Sequence, residues 1–447
     1  KAMFRTRGTR LSVSLACGVA LIVVASAAVS ALEIGASRVD ITPPWQEMKV
    51  QLGGYGDREG KPAEGVHDPL SATAIVLREG EKKVALVACD ILFVPSSLKE
   101  EVLNRIAGTG LDAGSLFMSA AHNHSGHEGF AMARRNVFNN KYIGIFTEDL
   151  LLFTADKLAA CVNEACGNLA EGRVSVARRE LPGLNRNRRG DPLVDDELMV
   201  AKFETMDGAV KAVLVNWTAH PTILGAKNML ISGEWPGYMQ RYISANVEGN
   251  PVVLYTNGAE GDQSVAGAQG ATPFERVENY GVRIGQEVVD LLGETKPTGS
   301  DLDFILEEVD LPPRQVSFAF KQSAGDEYKL TPEEIEAAAK GLFPARAPFG
   351  VVRIGDLVLM YIPGEPIAEL GLAMKEVSGN RGFAYPAVVA LSNDLIGYIL
   401  TTDEYREGGY EPAVSFYGDM LGPFVMQEVT KLVDAIAKKA GKAQAKL

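Results

Sequence analysis

Three of the chain's five histidines, His122, His124 and His127, fall in one string, AAHNHSGH. Side chains alternate along an extended segment, so His122 and His124 would face the same side about one strand repeat apart. Two imidazoles so placed suit a metal ion, a paired general acid and base, or a hydrogen-bonded surface pair. His127 is expected to be solvent-exposed or to stand one layer behind such a site. A fourth histidine, His220, ends the apolar run AVLVNWTA and precedes Pro221, which keeps the chain extended and limits where the ring can go. Glu365 stands in IPGEP, after another apolar run and a tight turn. A lone strand-end histidine or loop glutamate is commonly structural, but metal sites also draw imidazoles and a carboxylate from distant parts of a chain. A catalytic zinc among them keeps one position open for water. Ser264, in NGAEGDQS, is either a turn residue on a glycine-rich loop or a nucleophile, although no G-x-S-x-G elbow surrounds it.

These residues need elements to position them, and five apolar runs each end in a polar cluster. SLFMSAA leads into His122, Asn123 and His124, AVLVNWTA into His220, and PVVLYTN into the glycine-rich loop carrying Asp262 and Ser264. LVLMYIP leads into Gly364 and Glu365, and PAVVALSND leads toward Tyr398. Strand ends that open into loops are where α/β proteins assemble ligand sites. SATAIVL and KVALVACDILFV have the β-rich pattern of strands, while LKEEVLNRIA and TEDLLLFTADKLAACV have helical periodicity. The mixture predicts an α/β fold of layered mixed sheets with flanking helices. The segment at 293–301, GETKPTGSD, is the clearest break in apolar pattern and a candidate boundary between two lobes.

Length and composition, 447 residues with 46% hydrophobic and 23% charged, fit one large globular domain or two. The formal charge is −13, and the first thirty-one residues hold Lys1, Arg5, Arg7 and Arg10 with no acid, so a chain without them carries −17. So acidic a body will not track nucleic acid or anionic lipid by charge, and any peripheral membrane contact is expected to be apolar. The same thirty-one residues have the cationic start, apolar run and small-residue Val29-Ser30-Ala31 ending of an export signal, which predicts a secreted or periplasmic protein. The alternative is an uncleaved N-terminal anchor, because Leu11 to Leu32 is just long enough to span a bilayer. Cys17 does not stand where a lipobox requires it. Cys89, Cys161 and Cys166 predict neither a disulfide framework nor a zinc cysteine motif. The oligomeric state is not written in these features.

Taken in order, the strings resemble the neutral ceramidases, zinc amidases that release fatty acid from ceramide. GASRVDITPP, GGYGDREG and GVHDPLSATAIVL are similar to the family's opening segments, and AAHNHSGHEG to its His-Thr-His-Ser-Gly-Pro stretch. VNWTAHPT, IPGEP and NDLIGYILTTDEYREGGYEP are similar to its second histidine, glutamate and tyrosine segments. The resemblance implies a single catalytic domain over residues 32–447, a Zn2+ ion held by His122, His220, Glu365 and Tyr398, and His124 beside it as proton shuttle. It implies that Tyr410 stabilises the oxyanion, that Arg188 (or else Arg186, in LNRNRRG) positions substrate, and that Ser264 attacks or assists water. It also implies a small lipid-like N-acyl substrate. Departures are Val265 and Ala266 in place of a Pro-Asn pair, Glu260 adding acidity to the loop, and His127 in place of a proline. The chain is also expected to lack the extra C-terminal domain of the larger ceramidases. Hydrolysis of another amide or an ester, or non-catalytic binding of exported lipid or glycan on the same scaffold, are the rival readings.

Overall fold

The computed structural model describes residues 2–3 and 31–442, and from Ala31 onward they form one compact unit. The export segment therefore lies almost wholly outside the described residues. Strands β1 (Leu32–Asp40), β2 (Ser71–Glu79) and β3 (Lys82–Cys89) form an antiparallel meander. Glu79 pairs with Lys82 across a two-residue turn whose Gly80 takes a φ of 59°, the left-handed conformation such a turn demands. Helix α1 (Ser96–Arg105) then returns the chain to β4 (Leu116–Ala120), which runs parallel to β3. After α2 (Glu148–Gly167) the pattern recurs. Strands β5 (Ala170–Glu180), β6 (Glu197–Thr205) and β7 (Val210–Trp217) are antiparallel, and helix α3 (Glu234–Asn246) leads to β8 (Val252–Asn257), parallel to β7. The order is β8-β7-β6-β5-β1-β2-β3-β4, and the ninth strand, Lys296–Pro297, pairs with β5.

Helix α4 (Pro273–Leu292) closes this half of the chain, and residues 293–301 carry it to a second sheet. That sheet has the order β9 (Leu302–Asp310), β10 (Arg346–Ile354), β11 (Leu357–Tyr361) and β12 (Tyr385–Val389), the last pair parallel. A helical insertion ending in α5 (Pro332–Leu342) separates β9 from β10, while α6 (Ala368–Gly379) and α7 (Leu421–Lys439) cover the outer face.

Alternation along β3 shows why the layers form. Ala85, Val87 and Cys89 face a core shared with Leu98 of α1 and Leu158 of α2, whereas Val84, Leu86 and Ala88 face Val352, Leu359 and Val389 of the second sheet. A strand buried on both faces has no polar side, which is why its sequence is continuously apolar. On the other half, Trp235 and Ile284 of α3 and α4 pack on Val200 and Val213. The result is helices, sheet, sheet and helices in succession, a layered mixed α/β fold.

Two local features depart from the sequence reading. The run KVALVACDILFV is strand only to Cys89, because Asp90 turns inward and its carboxylate accepts hydrogen bonds from the backbone N–H and hydroxyl of Ser71. His127 is not solvent-exposed but fully buried, its Nδ1 3.4 Å from the Thr154 hydroxyl on α2. Cys89, Cys161 and Cys166 are free thiols. Among the described residues no helix is long and apolar enough to cross a membrane.

Candidate active site

The carboxyl end of β4 delivers His122 with a φ of 63°, a left-handed conformation seldom adopted by a residue with a bulky side chain. That turn sets its Nδ1 3.0 Å from the Leu92 carbonyl. At the end of β7, His220 sets its own Nδ1 3.0 Å from the Gln263 carbonyl. A carbonyl can only accept, so in both rings Nδ1 carries the proton and Nε2 presents its lone pair. The two Nε2 atoms lie 3.2 and 3.4 Å from the same Glu365 oxygen. Glu365 and Tyr398 pair side by side in a two-residue parallel bridge, which brings the Tyr398 hydroxyl to 3.5 Å from His220 Nε2.

Donors held at 2.0–2.1 Å around a tetrahedral ion stand about 3.3 Å from one another. The three separations fit that spacing, and all four side chains are buried. Burial, aided by the Arg188 charge, pushes the His220 imidazole down to about 4, so it is the neutral ligand form. Donor atoms of His122, His124 and His220 lie mutually within 4.8 Å, as do those of His122, Glu260 and Glu365. Neither nitrogen of His124 and neither oxygen of Glu260 has a protein partner. Buried, unpartnered donors of this chemistry fit a divalent cation.

His124 is held by packing instead of hydrogen bonds. Its ring lies 4.8 Å from those of both Tyr55 and His122, and a Cβ on Gly54 would fall 2.1 Å from its Nδ1. Only glycine fits there, which gives the double glycine of GGYGDREG a physical purpose. Arg188 donates from Nη2 to the Tyr398 hydroxyl at 2.9 Å and to the Gly261 carbonyl at 2.8 Å, and from Nε to Glu411 at 2.7 Å. Tyr410 stands with its ring 6.1 Å from that of Tyr398 and its hydroxyl 3.2 Å from that of Tyr328.

Above these groups opens a cavity of about 120 Å³. His122, His124, Glu365, Tyr398 and Tyr410 line its polar end, and Phe93, Phe130, Phe343, Val414 and Phe416 its apolar end. Ser264 does not line it. Its strand pairs Ser264 with Arg186, and the two line a separate groove with Thr222 and Arg276. The structure thus gathers His122, His124, His220, Glu365, Tyr398, Tyr410 and Arg188, and leaves Ser264 and the exposed Arg186 outside. Sequence reasoning missed Glu411, the carboxylate that anchors Arg188, and gave Glu260 only the role of adding acidity to its loop. Glu411 directly follows Tyr410 in the tyrosine-rich string, a proximity that pointed to the site; the burial of Glu260 has no signature in the sequence.

Comparison with known proteins finds relatives over most of the chain. The neutral ceramidase of Mycobacterium tuberculosis (strain ATCC 25618 / H37Rv) is 24% identical over 91% of this chain and 77% of its own length. That of Drosophila melanogaster is 22% identical over 96% and 76%. Among solved structures, the neutral ceramidase from Pseudomonas aeruginosa superposes with a TM-score of 0.79 at 20% identity, covering 92% of this chain and 75% of that one. The family described as neutral/alkaline non-lysosomal ceramidase, N-terminal, matches residues 32–271. That span includes strands β1 to β8, whose ends deliver His122, His124 and His220, and by it the chain belongs to the neutral/alkaline non-lysosomal ceramidase family.

Proposed function

We propose that this chain is an exported zinc-dependent amidohydrolase that cleaves the N-acyl bond of ceramide or a closely related lipid-like amide. The observation that carries the reading is the junction of two environments in one cavity. A cluster of buried imidazoles and carboxylates with the spacing of metal donors meets an aromatic and aliphatic wall that suits an acyl chain. His122, His220, Glu365 and Tyr398 would hold the zinc, which when bound supplies Lewis-acid polarisation of a carbonyl and lowers the pKa of water from about 15.7 toward 7.

The chain's own residues supply the rest. His124, neutral and with both ring nitrogens free, takes a proton from the attacking water and returns it to the leaving amine. Burial first, then its neighbours His122 and His220, drives this imidazole well below its ordinary pKa, so it begins the cycle as a base. Tyr410 donates its hydroxyl to the developing oxyanion, a role typically worth a few kcal/mol for one donor. Arg188 fixes the Tyr398 phenol, whose pKa burial raises well above the ordinary value while the Arg188 charge partly offsets that rise. Because Ser264 lines a different groove, we assign nucleophilic attack to water and not to that serine. Any contact with a membrane would be apolar. The exposed Phe318 supports this, as it lies two residues before the cavity-lining Phe320.

The test is metal analysis of the purified protein together with fatty-acid release from a ceramide, simpler N-acyl amines and an ester, with His220→Ala as control. Stoichiometric zinc and zinc-dependent ceramide cleavage, both lost in His220→Ala, are the expected results. Zinc with turnover of only the other substrates would discard ceramide, and no metal in folded protein would sink the reading.

A further inference from the structure

Glu260 is the strangest buried group in the molecule. It follows the end of β8 in the loop NGAEGDQS, is wholly excluded from solvent, and neither carboxylate oxygen has a hydrogen-bond partner in the protein. An ionised carboxylate in that state is unstable, and a protonated one would still leave a hydroxyl and a carbonyl unpaired. The Arg188 guanidinium is already committed to Glu411, Tyr398 and the Gly261 carbonyl.

The loop also cannot swing this side chain away. Glu260 N–H donates to the Gly258 carbonyl, Gly261 N–H to the Pro366 carbonyl, and Gln263 N–H to the Glu260 carbonyl, at 3.0, 2.9 and 2.8 Å. A Cβ on Gly261 would come within 2.6 Å of the Glu365 carbonyl oxygen, so only glycine permits the loop to press this closely on the glutamate segment. The backbone is thereby locked beside Glu365, with a Glu260 oxygen, a His122 nitrogen and a Glu365 oxygen all within 4.8 Å of one another. A cation shared with its neighbours would satisfy an orphaned carboxylate in that position.

We infer that Glu260 is an additional carboxylate ligand of the metal centre, raising the protein donors from four to five. The inference rests on the metal reading above. A second carboxylate makes the donor set more anionic and richer in oxygen. It strengthens binding of divalent cations generally and narrows the preference for zinc over harder ions such as manganese(II). It also predicts an unusual linkage. Glu260 burdens the metal-free protein with an unpartnered buried carboxyl and rewards the metal-bound one, so it couples folding to metal more tightly than the other ligands do.

The experiment compares wild type, Glu260→Gln, Glu260→Leu and His220→Ala as full chains, stripped of metal and reloaded with zinc or cobalt(II). Zinc affinity by chelator competition, the visible absorption of the cobalt(II) forms, and Tm with and without metal are measured. Glu260→Gln and Glu260→Leu are expected to keep one metal per chain but bind it at least tenfold more weakly. Their cobalt(II) bands should intensify as coordination number falls, and Glu260→Leu should have a higher metal-free Tm than wild type with a smaller rise on adding zinc. A residue with only a structural role would lower the metal-free Tm and leave the cobalt spectrum alone. Unchanged affinity and spectrum in both variants, with wild type binding metal and His220→Ala not, would overturn the Glu260 assignment alone. Wild type that is folded yet binds neither metal would overturn both readings.

Discussion

Imidazoles at this site differ chiefly in what their second nitrogen touches, and that difference sorts their roles. His122 and His220 each commit Nδ1 to a carbonyl and so offer a fixed lone pair, whereas His124 commits nothing and stays free to carry a proton. His127 is a third case, buried with one weak partner and not among the residues that line the cavity. Burial pushes its pKa from an ordinary 6.5 down to about 4. The sign follows directly. Below pH 6.5 the unfolded chain takes up a proton that the native ring refuses, so the native state loses stability as pH falls from 6.5 to 4 and is unaffected by this group above 6.5. The loss saturates at about 3 kcal/mol by the conversion of 1.36 kcal/mol per pKa unit. Urea unfolding of wild type and His127→Gln at pH 7 and pH 4.5 checks this. The variant should lose less stability between the two pH values, and an identical loss would show that His127 does not contribute.

Among the elements, the insertion between β9 and β10 does most to shape the cavity, for Ile335, Ala338 and Leu342 of α5 all line it. Its start is secured by a capping box in which the Thr331 hydroxyl accepts from Glu334 N–H and the Glu334 carboxylate accepts from Thr331 N–H. Thr331→Ala removes half of that exchange and should destabilise the helix by about 1 kcal/mol. Because α5 touches the apolar end and not the metal donors, KM for a long-chain N-acyl amide should rise while kcat on a short one holds. A matching fall in both would mean that α5 supports the donors instead. The same contrast explains what was legible in the sequence. Five strand ends carrying polar clusters were readable because fully buried strands are apolar along their length and stop where the chemistry starts. The direction of Ser264 was not readable, since its pairing with Arg186 depends on a short strand, Asn185–Asn187, whose sequence is polar and carries no strand signal. Nor could the left-handed turn at His122 be foreseen, because tertiary contacts and not residue type impose it.

At the scale of the whole molecule, donors from both sheets meet at one centre. His122 and His220 come from the first sheet, while Glu365 and Tyr398 come from segments that follow β11 and β12 of the second. Such a centre holds its spacing only if the two sheets move as one body. Their shared core provides part of that, and a buried ion pair provides a second tie. Lys375 on α6 donates to both Asp195 oxygens at 2.8 Å and to Glu197, the first residue of β6, at 3.3 Å. Removing one partner of a buried pair strands the other charge, so Lys375→Met is expected to cost about 3–5 kcal/mol. The three tryptophans, Trp45, Trp217 and Trp235, all precede the second sheet, so fluorescence reports the first half while far-ultraviolet circular dichroism reports the whole. If the sheets form one cooperative unit, the variant's urea transition should fall by the same amount in both signals even though Lys375 belongs to the second half. A fluorescence transition left in place while the dichroism shifts would mean that the halves unfold separately. The donor spacing at the shared centre would then have to be maintained by the bound metal rather than by the fold.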